Sequence, residues 1–301
     1  MPLPAPRSQL GRSESLLLCL TAYLVSAMAA VAAGWAVGRF LGWHSAVWMA
    51  AAGDLAATVV VFAFSAALDN SSVYDPYWSV APVFIAGFWL ASYGPARPRA
   101  LLALACVALW ALRLTANWLR RWRGLSDEDW RYADYRRLGA GYWPVSFLGF
   151  HLFPTIIVFL GCLPLTAALA WNARPVGALD AVAVAVTLAA ILIESTADRQ
   201  LRAFLDSPRE PGSTLETGLW ALTRHPNYFG EVLFWWGLYL FGLAADPSRW
   251  WTIVGPLGIT ALFLGVSVPM MDRRMTAGHP GYAEQMRLRS AFLPLPPRRE
   301  G

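Results

Sequence analysis

The sequence predicts an all-α polytopic membrane protein, a bundle of seven or eight transmembrane helices around an internal cavity that faces the cytoplasm. Three observations carry this expectation. Of 301 residues, 57% are apolar and only 14% charged, far from the balance of a soluble domain. The apolar residues fall in runs that approach or exceed the roughly 20 residues needed to cross a bilayer. All 24 basic residues are arginine, and they cluster between those runs. A pI near 9.4 then reads as attraction to an anionic membrane surface and not to nucleic acid.

The first run, 16–37, follows Arg7 and Arg12. Small residues at 29–33 imitate a signal-peptide cleavage site, but the run is too long and too many others follow, so it reads as a first spanning helix. Residues 1–45 therefore form an N-terminal membrane helix with its flanks, ahead of a transmembrane domain over 46–301. Further runs cover 46–68, 78–93, 101–118, 147–171, 179–193, 229–243 and 251–268. The short 78–93 run either begins further back, near Ser72, which gives eight spans, or is half-buried, which leaves seven. Trp122, Trp130, Trp143, Trp171, Trp250 and Trp251 lie near span ends, where amphipathic rings favour the interface. With eight spans, segments 1–15, 119–146, 199–228 and 269–301 share one side and hold 18 arginines against 5 in the opposite loops. The positive-inside rule makes that side, with the C-terminus, cytoplasmic. Cys19, Cys106 and Cys162 all lie inside apolar runs with no CxxC and no neighbouring histidine, which excludes a zinc site or a disulfide framework.

Several segments are too polar for their positions. In 69–79, Asp75 precedes Pro76 and an apolar helix broken again at Pro82. A carboxylate there is a functional candidate because charge at membrane depth needs a polar cavity or partner; capping of a helix that starts at Pro76 is the alternative, and the two are compatible. In 223–231, Arg224 and His225 stand before a helix opened by Pro226, where free N–H groups favour an anion such as phosphate or carboxylate. Asn227 and Glu231 follow one turn apart on one face. Asp198 and Arg202 share a stripe with the deeper Glu194, and Arg113 with Asn117 forms another inside the fourth run. Asp272, Arg273 and Arg274, then His279 and Tyr282, and Arg287 with Arg289 make a last polar group, which serves either a cofactor or anionic lipid. Carboxylates, aromatics and arginines around a cavity on the arginine-rich side suit a membrane enzyme that meets an anionic soluble cofactor and a lipophilic substrate.

These residues resemble the steroid 5-alpha-reductase superfamily, and most closely its bacterial branch of DUF1295 membrane proteins. The likeness spans roughly 55–295 and rests on 74–79 with Pro82, Ala197 and Asp198 through Phe204, 223–231, and the ending from Gly281 and Tyr282 to Pro294. The Arg-His-Pro-x-Tyr-x-Gly element is shared with isoprenylcysteine carboxyl methyltransferases and related phospholipid methyltransferases. The resemblance implies a bacterial inner-membrane enzyme that uses NADPH to reduce a carbon–carbon double bond conjugated to a carbonyl. It implies an acidic residue and a tyrosine that polarise the carbonyl: Asp75 for the first, and Tyr74 or Tyr77 for the second, because the position counted back from Arg113 is Trp110. For the cofactor it implies Asp198, Arg202, Asn227, Tyr228 and Glu231, with Arg224, His225, Arg273 and Tyr282 at phosphate or ribose and Arg113 among the cavity arginines. No Gly-rich dinucleotide fingerprint follows a strand, so a Rossmann domain is not expected. An S-adenosylmethionine-dependent methyltransferase of a membrane-embedded substrate is the alternative, and a non-catalytic lipid-binding protein a third. No metal, nucleic acid or obligate protein partner is expected.

Overall fold

The structure is a computed structural model that describes residues 10–42, 44–94, 97–170, 174–210 and 212–298. Arg7 and Trp171 therefore lie outside the described residues. The main helices are α1 (Arg12–Phe40), α2 (Ala46–Ala67), α3 (Tyr77–Tyr93), α4 (Pro98–Arg121), α5 (Arg136–Ala168), α6 (Ala178–Asp206), α7 (Pro226–Ala245), α8 (Pro247–Gly278) and α9 (Tyr282–Leu288). Among the described residues, seven of these are long and apolar enough to cross a membrane; α3, with 17 residues, is shorter than each of those seven. The only β pairing among the described residues is an isolated bridge between Thr223 and Ser290. The chain divides into two compact units, the first over 1–162 with 169–171, the second over 163–168 and 172–301.

In the first unit α1 lies against α2 through small residues. A Cβ on Gly53 would sit 2.9 Å from the Ala30 carbonyl oxygen, and one on Gly34 would sit 3.0 Å from that of Met49. Such close backbone approach is how helices associate in lipid, where burial of apolar surface gives no drive. The opposite face of α1 presents Leu17, Leu24, Val31 and Trp35, all exposed, as a lipid-facing helix should. The α3 segment departs from the expected backward extension toward Ser72. Asp69 takes a left-handed turn at φ 49°, Ser71–Tyr74 forms a 3-10 turn, and the chain folds back along α2 before α3 begins at Tyr77. Hydroxyl contacts mark the path: Ser71 meets Ser146, Tyr74 meets Thr155 and Tyr77 meets Asp54, each partner on α2 or α5 deeper than the last. Part of the available span is taken up by this folded-back polar segment, so α3 is short. Non-helical backbone of this kind is tolerated only where protein encloses it, and Ser71 to Tyr74 are all buried.

In the second unit α6 and α7 pack most tightly, at Gly230 and Gly237. A Cβ on Gly230 would lie 2.8 Å from Glu194 Cβ and 2.9 Å from the Ala190 carbonyl oxygen and the Glu194 nitrogen, contacts that cannot give way without moving backbone. Gly230→Ala is therefore expected to destabilise the protein by about 1–3 kcal/mol, read as an earlier thermal unfolding transition in detergent; an unchanged transition would contradict this packing. Because α6, α7 and α8 alternate in direction, the segments 207–225 and 279–298 lie at one end of this unit. In the first unit the same alternation brings 10–15, 68–76 and 122–135 to one end, where Arg12 Nη2 donates to the Leu119 carbonyl (2.7 Å) and Leu125 N to Ser15 Oγ (3.0 Å). Within each unit the arginine-rich segments thus gather at a single end.

Candidate functional site

The polar segment ahead of α3 is fastened to the loop that follows α4. Asn70 Oδ1 accepts from Ser72 N (2.8 Å) and so caps the 3-10 turn, while Asn70 Nδ2 donates to the carbonyls of Leu125 (3.0 Å) and Asp127 (2.9 Å). Glu128 Oε1 accepts from Ser71 N (2.8 Å), and Asp129 N donates to Ser72 Oγ (2.8 Å). Arg136 closes the assembly: it pairs with Glu128 (2.7 Å) and Asp69 (2.6 Å) and lies 3.9 Å over the Tyr142 ring. Such a fully partnered network removes the cost of burying its polar groups and fixes their geometry.

What this network positions is Asp75. Tyr132 OH donates to Asp75 Oδ1 at 2.6 Å, and Arg131 Nη2 lies 3.7 Å from the same oxygen. Burial pushes the Asp75 carboxyl up to about 6; the Arg131 charge pulls it the other way and Asp129 adds to the rise. Burial and the Asp75 charge hold the Tyr132 phenol well above its ordinary value, so it stays a donor. Near neutral pH the pair holds a titratable carboxyl hydrogen-bonded to a phenol, an arrangement suited to giving a proton or hydrogen bond to a carbonyl oxygen. Arg131→Gln removes a cation that favours the carboxylate, so the Asp75 midpoint is expected to move above 6. Infrared titration of the protonated carboxyl band, with Asp75→Asn as blank, reads this directly, and a downward shift would contradict the geometry.

A second acid–phenol pair lies deeper in the same unit. Asp54, buried in the middle of α2, accepts from Tyr77 OH at 2.6 Å. Thr58 Oγ1 donates to the Asp54 carbonyl (2.9 Å) and meets Thr155 Oγ1 (2.9 Å), which meets Tyr74 OH (2.9 Å). The hydroxyls of Tyr74 and Tyr77 therefore point to Thr155 and Asp54, and the phenol on Asp75 is neither of the expected ones but Tyr132. Nearby, the fully buried His151 shares its Nδ1 with the Ser146 carbonyl at 2.9 Å, which assigns the proton to Nδ1 and leaves Nε2 to accept from Ser65 Oγ at 3.1 Å. Arg113 is half-buried in mid-α4, one turn from the buried Asn117, with Trp110 fully enclosed.

In the second unit Thr223 and Arg224 pair with the C-terminal segment, with Arg224 N donating to the Ser290 carbonyl (3.0 Å). Pro226 then opens α7, where its missing N–H costs nothing. Arg224 grips Asp272 with Nη2 to Oδ2 at 2.7 Å and Nε to Oδ1 at 3.3 Å, and its Nη1 donates to the carbonyls of Arg289 (2.8 Å) and Met286 (3.2 Å). His225 Nε2 and Tyr282 OH reach Asp272 Oδ1 at 2.9 and 2.7 Å. The anion that Arg224 and His225 hold is thus a side chain of the protein itself, whereas the sequence pointed to a ligand phosphate or carboxylate. Burial and Asp272 together raise the Tyr282 phenol. The Tyr228 ring stacks on His225 with centroids 5.1 Å apart and planes 10° from parallel.

The other expected positions fall around the start of α7 and the end of α6. Asn227 Oδ1, in the first turn of α7, is a buried acceptor without a hydrogen-bond partner. Glu231 is buried and accepts from Trp235 Nε1 at 3.0 Å. Asp198 and Arg202 stand one turn apart on α6, both half-buried, and Arg273 is exposed on α8. Arg224, His225, Tyr228 and Tyr282 are therefore assembled around Asp272, and Arg273 is not part of that cluster. Sequence reasoning missed Asp54, although a lone carboxylate in the 46–68 run was itself a signal, and Tyr132, which nothing in its polar loop distinguished.

Among known proteins, an uncharacterized protein of the fission yeast Schizosaccharomyces pombe is 28% identical over 251 residues, which cover 74% of this chain and 72% of the relative. No solved structure matches. Residues 61–287 match the family described as "Protein of unknown function (DUF1295)", a stretch that holds Asp75, Tyr132 and the Asp272 cluster and leaves out α1 and Asp54. On that match, the chain belongs to the DUF1295 family.

Proposed function

We propose that this protein is a membrane-embedded, NADPH-dependent reductase of a carbon–carbon double bond conjugated to a carbonyl in a lipophilic steroid-, isoprenoid- or lipid-like compound. This is the chemistry of the steroid 5-alpha-reductase superfamily that its motifs resemble. The observation that carries the reading is the Asp75–Tyr132 pair, a carboxyl lifted to about 6 by burial with a phenol donating to it at 2.6 Å. A protonated Asp75 carboxyl, held on Oδ1 by the Tyr132 phenol, needs no reorganisation as negative charge develops on a carbonyl oxygen, which is where a preplaced donor acts most strongly. Asp54 and Tyr77 are the same pair of groups deeper in the first unit and suit recognition of a polar group on a buried substrate.

The second unit supplies residues that fit a dinucleotide in part. The unpartnered Asn227 Oδ1 is an acceptor that a carboxamide, amino or ribose hydroxyl donor would satisfy. The half-buried Tyr228 ring offers a stacking surface, and Arg202 and Arg273 provide positive charge. Arg224 is a positioning residue in this reading, since its donors already hold Asp272 and two carbonyls. When bound, NADPH supplies the hydride. Asp75, oriented by the Tyr132 phenol, holds the proton for the carbonyl oxygen, and within each unit the arginine-rich helix ends face the cytoplasm by the positive-inside rule.

Methyl transfer from S-adenosylmethionine shares the Arg224 to Gly230 element but gives Asp75 and Tyr132 no role. Titration of the detergent-purified protein with each cofactor, followed by tryptophan quenching and thermal stability, separates the readings. Saturable binding of NADPH and none of S-adenosylmethionine is expected; the reverse would overturn the reductase.

A further inference from the structure

The C-terminal segment of the second unit lines a partly open cavity of about 350 Å³ with Arg224, Arg289, Arg298, Met286 and Leu295, among others, and no acidic side chain is among the described residues that line it. Arg224 forms the floor, its donors held by Asp272 and two carbonyls, while Arg289 is fixed by Glu216 through Nη2 (3.1 Å) and by the Ala221 carbonyl through Nε (3.2 Å). Arg298 is exposed and adds positive charge that neither of those carboxylates offsets. Leu293, Leu295 and Met286 stand 53%, 51% and 41% exposed on the same segment, an apolar rim that water does not favour. The cavity lies at the end of the unit where α7 begins and α8 has finished, two helices long and apolar enough to span a membrane. The guanidinium groups of Arg289 and Arg298 beside apolar side chains match a phosphodiester with acyl chains next to it.

We infer that this cavity binds the headgroup phosphate of an anionic phospholipid, with Leu293 and Leu295 against its acyl chains. The inference stands on its own lining and does not rest on the proposed reductase activity. Native mass spectrometry of the full chain in detergent, titrated with dioleoyl phosphatidylglycerol or dioleoyl phosphatidylcholine, tests it. Phosphatidylglycerol is expected to bind preferentially. Arg298→Gln is expected to weaken that binding by about fivefold and Arg298→Glu by more, on the usual contribution of one arginine near an anionic surface. Leu295→Ser is expected to weaken both lipids. Arg137→Glu, an exposed arginine of the first unit, is expected to leave the preference intact. Equal binding of the two lipids, wild-type affinity in Arg298→Glu, or the same loss in Arg137→Glu would overturn the site. Displacement of the lipid by inorganic phosphate or NADPH would assign the cavity to a soluble anion and overturn it as well.

Discussion

Asp272→Ala is expected to lower stability by about 3–5 kcal/mol, because one carboxylate neutralises a guanidinium and accepts from an imidazole and a phenol that are themselves buried. The side chains of Arg224, His225 and Asp272 are 8%, 4% and 10% exposed, so solvent cannot replace the lost partner. Removing the anion leaves the cation stranded, and this dominates the effect; the attraction between the charges alone contributes far less. For a protein of this size each kcal/mol shifts the unfolding midpoint by about 2–4 °C, which puts the variant roughly 10 °C below the parent in a detergent melt. Asp272→Asn retains an acceptor and should fall between them, while Tyr282→Phe, which loses one hydrogen bond, should cost about 1 kcal/mol. A midpoint for Asp272→Ala within a degree or two of the parent would show that the cluster does not hold the C-terminal segment to the start of α7.

Asp75→Asn and Tyr132→Phe are expected to reduce enone turnover by about 10²- to 10⁴-fold, the usual range for a positioned acid. Since the proton or hydrogen bond is given as charge develops, kcat and kcat/KM should fall together with little change in KM. The pH dependence fixes the sign. With Asp75 at about 6, its proton-donating form predominates below that pH, so the rate should decline as pH rises through 6 and beyond. Tyr132 hydrogen-bonds the carboxylate and favours it, so Tyr132→Phe should carry the declining limb to higher pH while lowering its plateau. Asp75→Asn should abolish the limb. An unchanged limb in Asp75→Asn would remove Asp75 from proton delivery, whatever its effect on rate.

Hydropathy and arginine placement made the helical membrane class legible, because both report directly on the solvent around each segment. Pro226 opens α7 as expected and residues 70–74 are an unusual, buried polar segment, whereas Asp75 does not cap α3, which begins at Tyr77 with no side-chain cap. Contacts between distant residues were not. Tyr132 meets Asp75 across 57 positions, and Asp272 meets Arg224 across 48, so no helical or turn spacing announces either pair. The Tyr77–Asp54 contact was hidden by the fold-back of 70–76, which the apolar pattern of 78–93 read as either a longer helix or a half-buried one. An arginine beside a helix start suggests an external anion on chemistry alone; only the fold reveals that the protein supplies its own.

Isotope transfer tests the reductase claim most directly. The purified protein is incubated with NADPH deuterated at the transferable C4 position and with a panel of lipophilic enones, steroid, isoprenoid and fatty, and the products are analysed by mass spectrometry. The expected result is one deuterium at the carbon β to the carbonyl of a saturated product, lost in Asp75→Asn. Deuterium absent from every product, with S-adenosylmethionine bound in place of NADPH, would contradict it.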